Sequence, residues 1–290
     1  MKQRTLNNKI CFEGVGVHLG LSSSIILNPA PADSGIIFVN SKFPKEKIKI
    51  GNIIPQVAMH ASVIKSENWM LSTVEHLMAT INAFGIDNLL IEVDGFEIPI
   101  LDGSALSFAY EIECVGLKEQ DNPKKFLTPK KVLEFKDQKD DRYIKIIPAR
   151  FFNDINSYDT NLYFDYLADF AHPLVRQNRL HGIMSADYFI ENIAPARTFG
   201  FLEQLPFLRR HGLAKGTTLG NTVVIGEEEF LNDRRFKDEF VRHKFLDLIG
   251  DLALLGKNLI GTVNAKKTGH NFNRLVIEHY INNPDMWMLI

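Results

Sequence analysis

Between Glu239 and Gly256 the chain reads EFVRHKFLDLIGDLALLG. At about 100° per residue, Val241, Phe245, Leu248 and Leu252 fall on one apolar stripe, which predicts a core-facing helix. The opposite side carries His243, Asp247 and Asp251 at four-residue intervals, with Phe240, Gly250 and Leu254 as neighbours. That polar row is expected to be covered rather than open to water. Elsewhere, β-branched runs broken by turn residues, such as SSSIILNPAPADSGIIFVN, predict strands over the first ~65 residues. A helix is expected from Thr73 to Phe84, then a strand NLLIEVDG from Asn88. A second helix is expected within PILDGSALSFAYEIECVG, with Asp102 near its start. The polar, Pro-bearing KEQDNPKKFLTPKK, Lys118–Lys131, is read as a domain boundary. Beyond it, KVLEF and RYIKIIPA flank the turn-rich KDQKDD, and β-rich material ends near Pro173.

One internal similarity sharpens this outline. HLMATINAFG, His76 to Gly85, aligns without gaps against DLIGDLALLG, Asp247 to Gly256, and strand-like NLLIEV and NLIGTV follow. Each segment begins with a potential metal ligand and ends at a glycine. With a boundary near the midpoint, this favours two similarly built halves that meet face to face, bringing His76 and Asp247 to corresponding places on facing helices.

Composition narrows the function classes. The chain has 290 residues, 45% hydrophobic and 23% charged, with formal net charge −2. This length exceeds what one core usually fills, so two domains are expected. There is no concentrated basic face of the kind that duplex binding needs, so nucleic acid is not an expected partner. Cys11 and Cys114 are expected as reduced packing residues rather than a bridge. No apolar leader region follows the first residues and no apolar run is long enough to span a bilayer, so a cytoplasmic location is expected; the chain is expected to be a monomer.

His243 and Asp247, i and i+4 on a helix, have Cβ atoms ~5–6 Å apart, which suits two ligands of one ion and equally a surface ion pair. Zinc acting on a substrate needs a further protein ligand and an open position, and His76 is the best candidate. It lies in LSTVEHLMA, where Ser72 and Glu75 have capping-box spacing. Glu75 is therefore either a cap or, beside a metal-bound imidazole, a proton acceptor. His270, in the loop AKKTGHNFN, is either solvated or held protonated by Asp251. Thr198, in APARTFGFLEQLPFL, is either part of a packing segment or a hydroxyl beside an apolar channel.

The motifs KQRTL, GVGVH, STVEHL, GIDN, EIPILDGSA, ARTFGF, FKDEFVRHKFLDLIGDL and KTGH, taken in order, closely resemble one family. It is the zinc-dependent UDP-3-O-acyl-N-acetylglucosamine deacetylases of lipid A biosynthesis. The resemblance implies an α+β fold of two two-layer α/β sandwiches packed helix layer to helix layer, residues 1–121 and 126–290. The site would lie between them, and a βαβ-like insert in the second would form an acyl passage. It further implies His76, His243 and Asp247 as ligands of zinc, with iron a possible substitute. Glu75 would be general base, His270 general acid supported by Asp251, and Thr198 an oxyanion partner. Phe170, Lys244 and Lys267 would contact the nucleotide sugar, and Val17, Phe199, Leu205, Ala214 and Val224 would line the passage. Thr217, Gly220, Gln204, Leu19 and Ala171 depart from the family pattern. Two rival readings share the donor set: a zinc-stabilised carrier of acylated nucleotide sugars, and a metal hydrolase of another acyl-amide.

Overall fold

The computed structural model describes residues 1–58, 60–153 and 157–290. Among them are six α-helices: α1 Glu75–Ala83, α2 Leu106–Val115, α3 Ala186–Tyr188, α4 Leu205–Arg210, α5 Glu239–Ala253 and α6 His270–Asn282. Two five-stranded sheets carry most of the β structure. In the first the spatial order is Ile10–Val15, Ser22–Pro29, Leu89–Asp94, Ile36–Asn40 and Phe43–Lys49. In the second it is Leu133–Asp137, Arg142–Ile147, Gly261–Lys266, Leu162–Ala168 and Asn178–Met184.

The two sheets are wired alike. In each, the last strand in sequence is inserted centrally, and successive neighbours are antiparallel, antiparallel, parallel and antiparallel. The central strands follow α1 and, after the short strand Asn258–Leu259, α5, so the internal sequence similarity has a structural counterpart. It extends to the turns. Gly85 and Gly256 both take left-handed φ, 64° and 74°, and their N–H groups donate to the equivalent carbonyls of Asn82 and Ala253.

Period-two alternation puts Ile25 and Leu27, or Phe164 and Tyr166, on the buried side of their strands. Helix α5 is buried on nearly every side, including the polar row expected to be covered. Its Phe245 stacks on Phe164 with ring centroids 4.1 Å apart. Burying one such aromatic is worth about 1.5–3 kcal/mol. Helix α1 packs against α5, and α6 lies along α5 as well. At the α1–α5 crossing a Cβ on Gly250 would lie 2.1 Å from the Glu75 carbonyl oxygen. Only glycine admits that approach.

Some expectations are corrected, and others gain detail. Residues 118–131, read as a domain boundary, are mostly strand. Leu117–Pro123 pairs with Lys2–Leu6, and Phe126–Pro129 pairs with Trp287–Leu289. Helix α2 starts at Leu106, because the Asp102 carboxylate accepts from the Ser104 N–H and hydroxyl and forms a turn first. The Ser72–Glu75 capping box does not form. Ser72 ends a strand, its hydroxyl donates to the Phe96 carbonyl, and α1 begins at Glu75 with no side-chain cap. Cys11 and Cys114 are both exposed rather than packed, and Cys11 occupies an outward position of its strand. Among the described residues, no helix is long and apolar enough to cross a membrane.

Candidate active site

His76 stands in the first turn of α1, His243 and Asp247 on facing turns of α5. Their donor atoms all lie within 4.8 Å of one another, and all three residues are buried. Asp247 Oδ1 is 3.5 Å from His243 Nε2 and 3.9 Å from His76 Nε2. The imidazole planes meet nearly edge to face at 83°. His243 Nδ1 lies 3.0 Å from the Ala196 carbonyl. A carbonyl accepts only, so Nδ1 carries the proton and the Nε2 lone pair points inward, as a ligating histidine requires.

The protonation states suit a cation. Burial lowers both imidazole pKa values, that of His76 to about 3 with the nearby His243 adding to the effect, so both are neutral donors. Burial opposes the charged form of Asp247, but Lys244 and the surrounding histidines hold its carboxyl well below the usual range. Lys244 Nζ donates to Asp247 Oδ2 at 2.7 Å. Lys244 itself is raised above its ordinary range, because Asp247 outweighs desolvation. Two neutral imidazoles and one carboxylate converging in a buried pocket fit a divalent cation such as zinc.

Glu75 and His270 flank this group, with His270 Nε2 3.8 Å from Glu75 Oε1. Glu75 is fully buried, and burial raises its carboxyl to about 8; His270 opposes the rise while Asp251 and Asp247 add to it. Its other oxygen accepts from the Ser62 N–H at 3.2 Å. For His270, burial works against the imidazolium, but Asp251 and then Glu75 more than compensate and raise it to about 9. Asp251 Oδ2 is 2.9 Å from His270 Nδ1. Asp251 also accepts from the Ser62 hydroxyl at 2.5 Å and from Asn273 Nδ2 at 2.7 Å.

A cavity of about 560 Å³ opens from this cluster. Its lining includes Thr198, Phe170 and Lys244 and all five residues expected along the passage: Val17, Phe199, Leu205, Ala214 and Val224. Strands Phe199–Phe201 and Val223–Ile225 pair in parallel with α4 in the connection between them, which builds one apolar wall. Phe170 meets Phe199 edge to face at 5.5 Å. Of the departures from the resembled pattern, Gln204 and Thr217 face the cavity. Asp251 and Lys267 do not line it. Asp251 lies beneath His270, and Lys267 is half-buried with its N–H donating to the Leu167 carbonyl.

The sequence reading missed several groups. Ser62 contacts both Glu75 and Asp251, and Asn273 fixes Asp251. Glu97, also buried, accepts from the N–H groups of His18 and Leu19 at 2.8 Å and from the Thr73 hydroxyl at 3.0 Å. A serine inside ASVIK and a glutamate inside FEIPIL, each a polar residue in an apolar run, were the available signals.

The family model for "LpxC: UDP-3-O-acyl N-acetylglycosamine deacetylase" matches residues 3–282. A UDP-3-O-acyl-N-acetylglucosamine deacetylase of Nautilia profundicola is 42% identical over 282 residues, covering 97% of this chain and 92% of the relative. Proteins of the same name from Helicobacter hepaticus and Syntrophotalea carbinolica are 38% and 39% identical. They cover 100% and 99% of this chain, and 93% and 90% of their own lengths.

Proposed function

Because the chain belongs to the UDP-3-O-acyl N-acetylglycosamine deacetylase family, we propose that the buried cluster of His76, His243, Asp247, Glu75 and His270 is its catalytic centre. The enzyme hydrolyses the N-acetyl amide of UDP-3-O-acyl-N-acetylglucosamine, giving acetate and the free amine, a step towards lipid A. His76, His243 and Asp247 would hold a divalent cation, zinc in this reading. When bound, the cation polarises the amide carbonyl and makes an attacking water more acidic.

The chain's own residues supply the proton traffic. Glu75, in the ionised form that the charged His270 favours, takes a proton from the attacking water, a role worth roughly 10²–10⁴-fold. The water oxygen adds to the carbonyl carbon, and the oxyanion that develops lies beside the Thr198 hydroxyl. His270, charged below about pH 9, donates a proton to the amide nitrogen as the C–N bond breaks. Asp251 holds the His270 ring and keeps its proton in place. Lys244 neutralises the outer oxygen of Asp247, and Lys244, Lys267 and Phe170 are assigned to the nucleotide sugar, with Phe170 offering a face to the uracil. The acyl chain runs along Val17, Phe199, Leu205, Ala214 and Val224, each buried CH₂ contributing about 0.8 kcal/mol. That remote binding helps position the amide.

In this reading residues 1–121 and 126–290 are two units that each contribute one wall, and the enzyme is a cytoplasmic monomer. The observation that carries the reading is the convergence of three donors within 4.8 Å next to a glutamate–histidine pair. The test is acetate release from the acetylated UDP-sugar, before chelation, after it, and during stepwise return of zinc. Loss and recovery are expected. Full activity after chelation would overturn the reading.

A further inference from the structure

We propose that Glu239 is a positioning residue that locks the ligand His243 and the hydroxyl-bearing Thr198 into one frame. The inference rests on the site reading given above. Glu239 opens α5, one turn before His243 and on the same face, and is completely buried. Its Oε1 accepts from the backbone N–H of Arg197 and from Arg197 Nε, both at 3.0 Å. Its Oε2 accepts from the Arg235 N–H at 2.6 Å and from Arg197 Nη2 at 3.4 Å. Arg197 Nη2 also donates to the Asp233 carbonyl at 2.6 Å.

The two residues beside Arg197 are the ones that matter for chemistry. On one side the Ala196 carbonyl receives the proton of His243 Nδ1. On the other, Thr198 donates its N–H to the Gly103 carbonyl at 2.7 Å and accepts from the Val223 N–H at 2.9 Å. The flanks are tied down too. The Ala194 carbonyl accepts from the Ala105 N–H, and the Pro195 carbonyl from Arg235 Nη1. Residues 194–198 are thus held by groups from several elements, and Glu239 is the carboxylate that fastens the middle of the segment to the ligand-bearing helix.

Fork-like arginine–carboxylate contacts fix angle as well as distance. As a source of stability such a pair counts for little, because desolvating both charges offsets most of their attraction. Its consequence is alignment. It sets where the Ala196 carbonyl meets His243, hence the direction of the Nε2 lone pair, and where the Thr198 hydroxyl stands relative to the ligands.

The test compares Glu239→Gln, and a double variant carrying Arg197→Met and Glu239→Gln that leaves no buried charge unpaired, with the wild-type chain. Zinc affinity is measured by competition with a chromophoric chelator, kcat and KM on the acetylated UDP-sugar at saturating zinc, and folding by thermal denaturation. Zinc affinity is expected to fall about 10–100-fold, as for other groups that orient a ligating histidine. At saturating zinc kcat should fall while KM stays near the wild-type value. A folded double variant with wild-type zinc affinity and kcat would overturn the proposal. Failure of the site reading looks different: wild type itself would turn over without zinc, or His243→Ala would bind zinc as tightly as wild type.

Discussion

Helices α1 and α5 occupy equivalent places beside two sheets of identical wiring, yet they carry very different polar loads. On α1 the buried polar side chains are Glu75, His76 and Thr80. Thr80 turns back on its own helix, its hydroxyl donating to the His76 carbonyl at 2.9 Å. The aligned residue on α5 is Asp251, which instead reaches across to His270 and Ser62. His76 and Asp247 also align, and both point into the ligand cluster. One scaffold is thus used twice. In the proposed reading the first copy gives a ligand and a base at a helix start, and the second spreads two ligands and an acid's partner over three turns. Equivalent backbone positions do not carry equivalent chemistry, and where they differ, the side chain's second partner decides the role.

The largest effect should come from the aligned pair itself. His76→Ala and Asp247→Ala should each abolish zinc binding at micromolar metal and reduce turnover to background, read by metal analysis and acetate release. Retained zinc in either variant would mean that the two positions are not both ligands. Next, Glu75→Gln should keep its zinc and lose roughly 10²–10⁴-fold in kcat. Loss of zinc instead would make Glu75 a structural residue.

The third prediction concerns pH. His270 titrates at about 9 in the folded chain, against about 6.5 unfolded. Its interactions therefore stabilise the fold fully below about pH 6.5, and that contribution disappears as pH rises through about 9. If His270 is the general acid, as proposed, it is lost over the same rise, and kcat/KM should fall on the alkaline side near pH 9. Asp251→Asn removes the main charge holding the proton, and the alkaline limb should move to lower pH. An unmoved limb would separate Asp251 from His270. The smallest effect is expected at the counterpart position: Thr80→Val should cost about 1 kcal/mol of stability and leave the pH profile unchanged. A shifted profile there would dissolve the contrast between the two helices.

Much of this was legible because it is local or repeated. The i, i+4 row of α5 shows on a helical wheel, and the match of His76 to Asp247 supplied a third ligand 167 positions before residue 243. The motif resemblance then chose among the open roles of Glu75, His270 and Thr198 and named the passage lining. The rest depends on which strands and loops come together, which spacing does not encode. Ser62 meets Asp251 across 189 residues of chain, and Arg197 meets Glu239 across 42. The capping-box signal misled for the same reason: Ser72 is claimed by a strand, which leaves Glu75 free to face the cavity. Lys267 takes a left-handed backbone, φ 53°, a local feature that its sequence neighbourhood does not announce.

The missing side chain at position 250 has a mechanical consequence. Where α5 crosses α1, main chain rests on main chain at Glu75. Main-chain atoms have no alternative rotamers, so the gap between Glu75 and the facing side chains of α5 works as a hard stop rather than a spring. Adding a single methyl group, as in Gly250→Ala, would press first on the Glu75 carbonyl oxygen and so prise the two helices apart.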